Sequence, residues 1–105
     1  MINHKMTINK YHIFFGNLAN SLKIDIITAL KEKPKSVTEL VKELKVEQSK
    51  LSHALSSLRC CSIVKVNQEG KKRIYQLNKE TIFPMLELID KHENKFCAKC
   101  MAVKK

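Results

Sequence analysis

A chain of 105 residues with 44% hydrophobic content can bury one compact core and no more. Its 20 Lys and Arg against 10 Asp and Glu leave a formal charge of +10, which calls for an anionic partner. Two glycines in the whole chain leave no phosphate-cradling loop, and no Ser-His-Asp or paired-carboxylate spacing stands out, so an enzyme is not expected.

In chain order, the spacing predicts a first helix from about Asn9 to Leu18 that carries Ile13, Phe14, Phe15 and Leu18. That apolar run is too short for a signal peptide, and no segment approaches membrane-spanning length, so a cytoplasmic protein is expected. Asn20 or Ser21 caps a second helix running to Lys33, with Leu22, Ile26, Ile27 and Leu30 inward. Lys33-Pro34-Lys35 ends it, because a residue before proline avoids helical geometry. Ser36 with Glu39 three residues on is a capping box that opens a third helix, whose stripe is Val37, Leu40, Val41 and Leu44. Lys45-Val46-Glu47 leaves room only for a sharp turn, so the next helix crosses the third at a large angle.

That fourth helix, 47–60, carries Leu51, Ala54, Leu55 and Leu58 on one stripe and ends in adjacent cysteines, Cys60 and Cys61. If the leucines face inward, Gln48, Ser49, Lys50, Ser52, His53 and Ser56 face outward, where small polar side chains suit base edges in a major groove. The bland alternative is a helical hairpin with a solvated face. Ile63 to Asn67 and Arg73 to Leu77 then alternate around a Gly70 turn. They read as a β-hairpin with Val64, Val66, Ile74 and Leu77 as packing candidates. Its tip carries Lys71, Lys72 and Arg73, positioned to reach phosphates or the minor groove. Asn78 to Lys95 reads as a final helix with Thr81 as the effective cap, which makes Pro84 tolerable in the first turn. Ile82, Phe83, Met85, Leu86, Leu88 and Ile89 cover more than one stripe, so this helix needs two partners, one of them a second copy of itself. No basic amphipathic helix with a bulky apolar face points to a membrane. Two Tyr and four Phe, mostly at core positions, are too few to stack RNA bases. A protein-interaction module would want surface leucines and aromatics on the fourth helix, and they are missing.

This order of elements, with Leu18-Ala19-Asn20, Lys23, Ile26-Ile27, Glu39-Leu40, Ile63-Val64, Gly70, Arg73 and Tyr75, resembles the ArsR/SmtB family of winged-helix regulators. The run Gln48-Ser49-Lys50-Leu51-Ser52-His53 is the most telling part, and the resemblance covers roughly residues 12 to 95. Lys23 stands where an arginine is usual, and the proline often preceding it is absent. The resemblance implies an α+β, mostly helical, winged helix-turn-helix with five helices and one hairpin wing, dimeric through its first and last helices. It also implies a homodimeric repressor on a palindromic DNA operator. Residues 1–96 would be the DNA-binding and dimerisation domain, and 97–105 a Cys-x-x-Cys tail.

Sensing is where the chain departs from the pattern of the family it resembles. Arsenic-type members carry Cys-x-Cys in the helix before the recognition helix, and Val37 to Leu44 has no cysteine. Asp90-Lys91-His92 matches one half of the zinc-type site on the last helix, and the other half is absent. The cadmium- and lead-sensing type draws thiolates from the recognition-helix end and the C-terminal tail, which Cys61, Cys60, Cys97 and Cys100 resemble. Cys97 and Cys100 have the two-residue spacing that lets both sulfurs chelate one ion, and soft thiolates favour Zn, Cd, Pb or As(III). A structural zinc, a disulfide or persulfide redox switch, and incidental cysteines remain open alternatives.

Overall fold

The structure, a computed structural model, describes residues 9–97. His4, Cys100 and most of the expected tail therefore lie outside the described residues. Helix α1 spans Lys10–Leu18, α2 Ser21–Glu32, α3 Val37–Leu44, α4 Gln48–Cys60 and α5 Ile82–Phe96. Strand β1 is Lys35–Ser36, β2 Val64–Glu69 and β3 Lys72–Leu77, forming one antiparallel sheet in the order β1-β3-β2.

Local chemistry explains most boundaries. Asn9 opens α1 by accepting from the Tyr11 and His12 amides, and Asn20 opens α2 by accepting from Lys23 N–H at 3.0 Å. The capping box at α3 is complete: Glu39 N–H donates to Ser36 Oγ at 3.1 Å, and Ser36 N–H donates to Glu39 Oε1 at 2.8 Å. Lys45 closes α3 in the left-handed region with φ 54°, its N–H bonded to the Val41 carbonyl. The last helix starts at Ile82 rather than Asn78. Thr81 occupies the cap position without a side-chain bond, while Asn78 is buried and holds the preceding turn through the Glu80 amide and the Ser62 carbonyl.

The core is drawn from every layer: Ile26, Ile27 and Leu30 of α2, Leu40 of α3, Leu51, Leu55 and Leu58 of α4, Val64, Tyr75 and Leu77 of the sheet, and Ile82 of α5. Burying each large side chain contributes roughly 1.5–3 kcal/mol, so the three α4 leucines fix that helix against rotation about its axis. On α1 only Phe14 and Leu18 of the expected stripe pack on this core, while Ile13 and Phe15 are exposed.

Two features correct the sequence reading. The sheet has a third strand, β1, whose Lys35 and Ser36 pair with Tyr75 and Ile74. The hairpin register sets Val64 opposite Leu77 and Val66 opposite Tyr75, so Tyr75, not Ile74, shares the packing face. Ile74 sits on the other face and is half-buried. Gly70, at φ 62°, begins the two-residue turn that fixes this register.

Candidate nucleic-acid interface

The capping box and the Lys45 cap set where α3 begins and ends, and the Lys45-Val46-Glu47 turn then delivers α4 with its leucines pointing inward. The consequence is a clean division of α4. Leu51, Ala54, Leu55 and Leu58 are buried, while Gln48, Ser49, Lys50, Ser52, His53 and Ser56 are all exposed, as the spacing predicts. A concave surface of about 660 Å³ beside this face brings Ser49, Lys50 and His53 next to Asn20, Leu22 and Lys23 of α2. Lys71, Lys72 and Arg73 are exposed at the hairpin tip. Lys72 lies opposite Glu69, and Arg73 opposite Gln68.

At the far end of α4, Cys61 is the C-cap, half-buried, and Cys60 beside it is exposed rather than packed as a small hydrophobe. Cys97 is half-buried at the C-cap of α5. Among the described residues, no three His, Cys, Asp or Glu side chains come together to hold an ion. The donor type of Cys60, Cys61 and Cys97 suits soft metals, and the fourth expected ligand, Cys100, lies outside the described residues. Of the one zinc-type half-site present, Asp90 pairs with Lys31 at 3.2 Å, and the His92 ring lies 5.1 Å from that of Phe96.

A polar cluster that the sequence reading missed joins α1, α2 and the end of α4. Asn17 is only 8% exposed. Its Oδ1 accepts from Lys23 Nζ at 2.8 Å and from Ser57 Oγ at 2.8 Å. Its Nδ2 donates to the Ser57 carbonyl at 3.4 Å and to Cys61 Sγ at 3.0 Å. Lys23 Nζ also donates to Ser57 Oγ at 2.9 Å. Because an ammonium has no acceptor, Lys23 fixes which end of the amide faces it, and the NH₂ must face the sulfur. Among the described residues no carboxylate pairs with Lys23. The available signal was the polar Asn17 falling between Phe14 and Leu18 on a stripe otherwise packed against the core.

Apolar side chains also remain at the surface. Tyr11, Ile13 and Phe15 of α1 and Leu88, Ile89 and Phe96 of α5 are exposed, Phe96 to 73%. No single described helix is long and apolar enough to cross a membrane.

Residues 20–66 match the family described as bacterial regulatory protein, arsR family. No curated protein matches the sequence. Among solved structures, HlyU from Vibrio cholerae is 27% identical with a TM-score of 0.70, over 92% of this chain and 99% of HlyU. The same HlyU is also known in a structure described as reduced. The transcriptional repressor BigR from Xylella fastidiosa is 25% identical with a TM-score of 0.66, over 87% of each chain. Mb0332 from Mycobacterium bovis, described as a homodimeric winged helix-turn-helix DNA-binding domain, shares the fold at 18% identity and a TM-score of 0.69, over 82% of this chain and 84% of that one. These relatives are regulators and not enzymes, and this chain shares their fold. Residues 20–66 are thus similar to the arsR family of bacterial regulatory proteins, and the chain shares its fold with winged helix-turn-helix transcriptional regulators.

Proposed function

We propose that the chain is a cytoplasmic, homodimeric repressor that places one α4 in each of two successive major grooves of a palindromic operator. Gln48, Ser49, Ser52, His53 and Ser56 read base edges, and Lys50, Lys71, Lys72 and Arg73 hold backbone phosphates. The observation that carries this reading is the division of α4 into a buried leucine spine and an unbroken polar face. The exposed apolar side chains on α1 and α5 support pairing of two copies through those helices, and Mb0332, which shares the fold, is described as homodimeric. In this reading residues 1–96 are the DNA-binding and dimerisation unit and 97–105 a cysteine tail.

For regulation, we favour thiol chemistry at Cys61. It stands at the end of the proposed recognition helix, accepts a hydrogen bond from Asn17 and borders a cavity of about 480 Å³. A second form is coordination of Zn, Cd, Pb or As(III) by Cys61 with Cys60, Cys97 and Cys100. The soft donor set supports it, and it requires the tail or a second chain.

The test is selection of duplexes from a randomised pool, followed by footprinting. A palindromic motif whose preference is relaxed by Gln48→Ala or His53→Ala is the expected outcome. Each lost base contact should cost roughly 1–3 kcal/mol of discrimination. Selection that recovers no motif would overturn the reading.

A further inference from the structure

We infer that Asn17 is a positioning residue that ties the chemical state of the Cys61 sulfur to the joint between α1 and α4. The inference rests on the reading of Cys61 as a regulatory thiol.

The Asn17 amide has no bonding capacity to spare. Its oxygen uses both acceptor positions on Lys23 and Ser57, and its nitrogen uses both protons on the Ser57 carbonyl and Cys61 Sγ. It cannot turn over to suit a changed sulfur, because a flipped amide would aim N–H groups at the Lys23 ammonium. A substituent that moves Sγ, or removes its acceptor capacity, leaves one Asn17 proton without a partner in a side chain only 8% exposed. An orphaned buried donor is costly, so the helices must shift to relieve it. The elements that meet there are α1, which carries exposed Tyr11, Ile13 and Phe15, and α4, which carries the polar face. A change at one sulfur is thereby felt both by the proposed dimer contact and by the proposed DNA-reading helix. In a single chain Cys61 borders a cavity with Tyr11, Ile13, Phe14 and Phe15, so its sulfur lies beside the proposed dimer contact, and the mass of the labelled chain reports whether the reagent reaches it there.

The probe is methyl methanethiosulfonate. The Cys61 sulfur attacks the sulfenyl sulfur of the reagent, and a new S–S bond forms to the S-methyl group. The reagent's S–S bond breaks, methanesulfinate leaves with the electron pair, and the thiol proton passes to solvent. Cysteine is oxidised to the mixed disulfide, the thiosulfonate is reduced, and dithiothreitol reverses the step. The full chain is used with Cys60→Ser, Cys97→Ser and Cys100→Ser, leaving Cys61 as its one thiol. Affinity for a duplex selected from a random pool is read by fluorescence anisotropy, and labelling is read by mass.

Labelling should weaken duplex binding by about tenfold or more, within the range of ordinary coupling between sites, and dithiothreitol should restore it. Adding Asn17→Ala should leave labelling complete but reduce the change to less than about threefold. Ser57→Ala disturbs the same joint without breaking the bond from Asn17 to Cys61, and should keep the large response, which a purely structural role for the cluster would not allow. A folded Asn17→Ala chain with an undiminished response overturns the inference while sparing the thiol reading. A Cys61-only chain that shows no response overturns both. If Asn17→Ala does not fold, the nearly isosteric Asn17→Leu replaces it with the same two outcomes.

Discussion

Lys35 Nζ lies 2.7 Å from Glu43 Oε1, tying the short strand β1 to α3, the helix that precedes α4. The Lys35 side chain is only 5% exposed, and Glu32 completes the pairing from α2 at 3.0 Å. Hydrogen bonds from Lys35 to Glu43 and then to Glu32 hold its ammonium above the usual lysine range despite burial. A raised folded pKa stabilises the protein fully below the ordinary lysine value, and that contribution is lost as pH rises through the higher folded value. Glu43→Gln should destabilise by roughly 0.5–1 kcal/mol at pH 8, because Glu43 is partly exposed and Glu32 remains. The gap in melting temperature between wild type and Glu43→Gln should narrow as pH climbs above the lysine range. A gap independent of alkaline pH would contradict the pairing.

The capping box makes an acid-side prediction. Ser36→Ala should cost about 1 kcal/mol of stability, the usual value of an N-cap side chain. The Ser36 backbone N–H holds the Glu39 carboxyl below its ordinary range, with Lys33 and Lys72 adding to the effect. A lowered folded pKa gives stability that is present above the ordinary carboxyl value and lost as pH falls through the folded one. The difference between wild type and Glu39→Gln should therefore be largest near neutrality and shrink in acid. Urea unfolding at pH 7 and pH 3 measures it.

These two elements show what can be read locally and what cannot. The capping box and the leucine stripe lie within one or two helical turns, so spacing alone reveals Ser36, Glu39, Leu51, Leu55 and Leu58. Strand β1 is two residues, one of them charged, with no apolar alternation; its burial depends on Tyr75 and Glu43, which are distant in sequence. Ile74 and Tyr75 are adjacent and both apolar, so their faces are decided by the register that the Gly70 turn imposes. The Asn17 cluster draws on three helices, and only the assembled fold brings its partners together.

The end of α4 predicts a stabilising change. Ser62 N–H donates to the Arg59 carbonyl and Ile63 N–H to the Leu58 carbonyl, both at 2.9 Å, with Ile63 fully buried. This is a Schellman closure with Ser62 at φ 56°, where glycine is the usual occupant. The left-handed conformation costs an L-residue about 1–2 kcal/mol, and the extra chain entropy of glycine returns part of that. Ser62→Gly should therefore stabilise by roughly 0.5–1 kcal/mol and raise the melting temperature by a few degrees. A lower melting temperature would show that the Ser62 side chain contributes more than its strained backbone costs.

Exposed apolar side chains on α1 and α5 carry the assembly prediction. Phe15 is 56% exposed and Leu88 64% exposed, more than isolated surface hydrophobics would require on two helices at once. Phe15→Glu combined with Leu88→Glu should convert a dimer to a monomer in sedimentation equilibrium, with the far-ultraviolet spectrum unchanged because neither side chain belongs to the core. Duplex affinity should fall by at least about a hundredfold, since the two recognition helices then bind independently. A wild-type chain that sediments as a monomer at all concentrations would remove this interface.

The hairpin tip gives the sharpest electrostatic test. Lys71, Lys72 and Arg73 are exposed at the turn, and Lys72 has Glu69 as its cross-strand neighbour. If these side chains hold phosphates, binding releases condensed counterions, and the logarithm of affinity falls linearly with the logarithm of salt, with a slope of about 0.9 per neutralised phosphate. Lys71→Ala with Lys72→Ala should flatten that slope by roughly two units and weaken binding to all duplexes alike. His53→Ala on α4 should leave the slope nearly unchanged and lower affinity mainly for the selected motif. The two variants thus separate phosphate contact from base reading within one salt titration. A slope unaltered by loss of both lysines would mean that the wing stands clear of the duplex, leaving the basic charge of this domain to act only through long-range attraction.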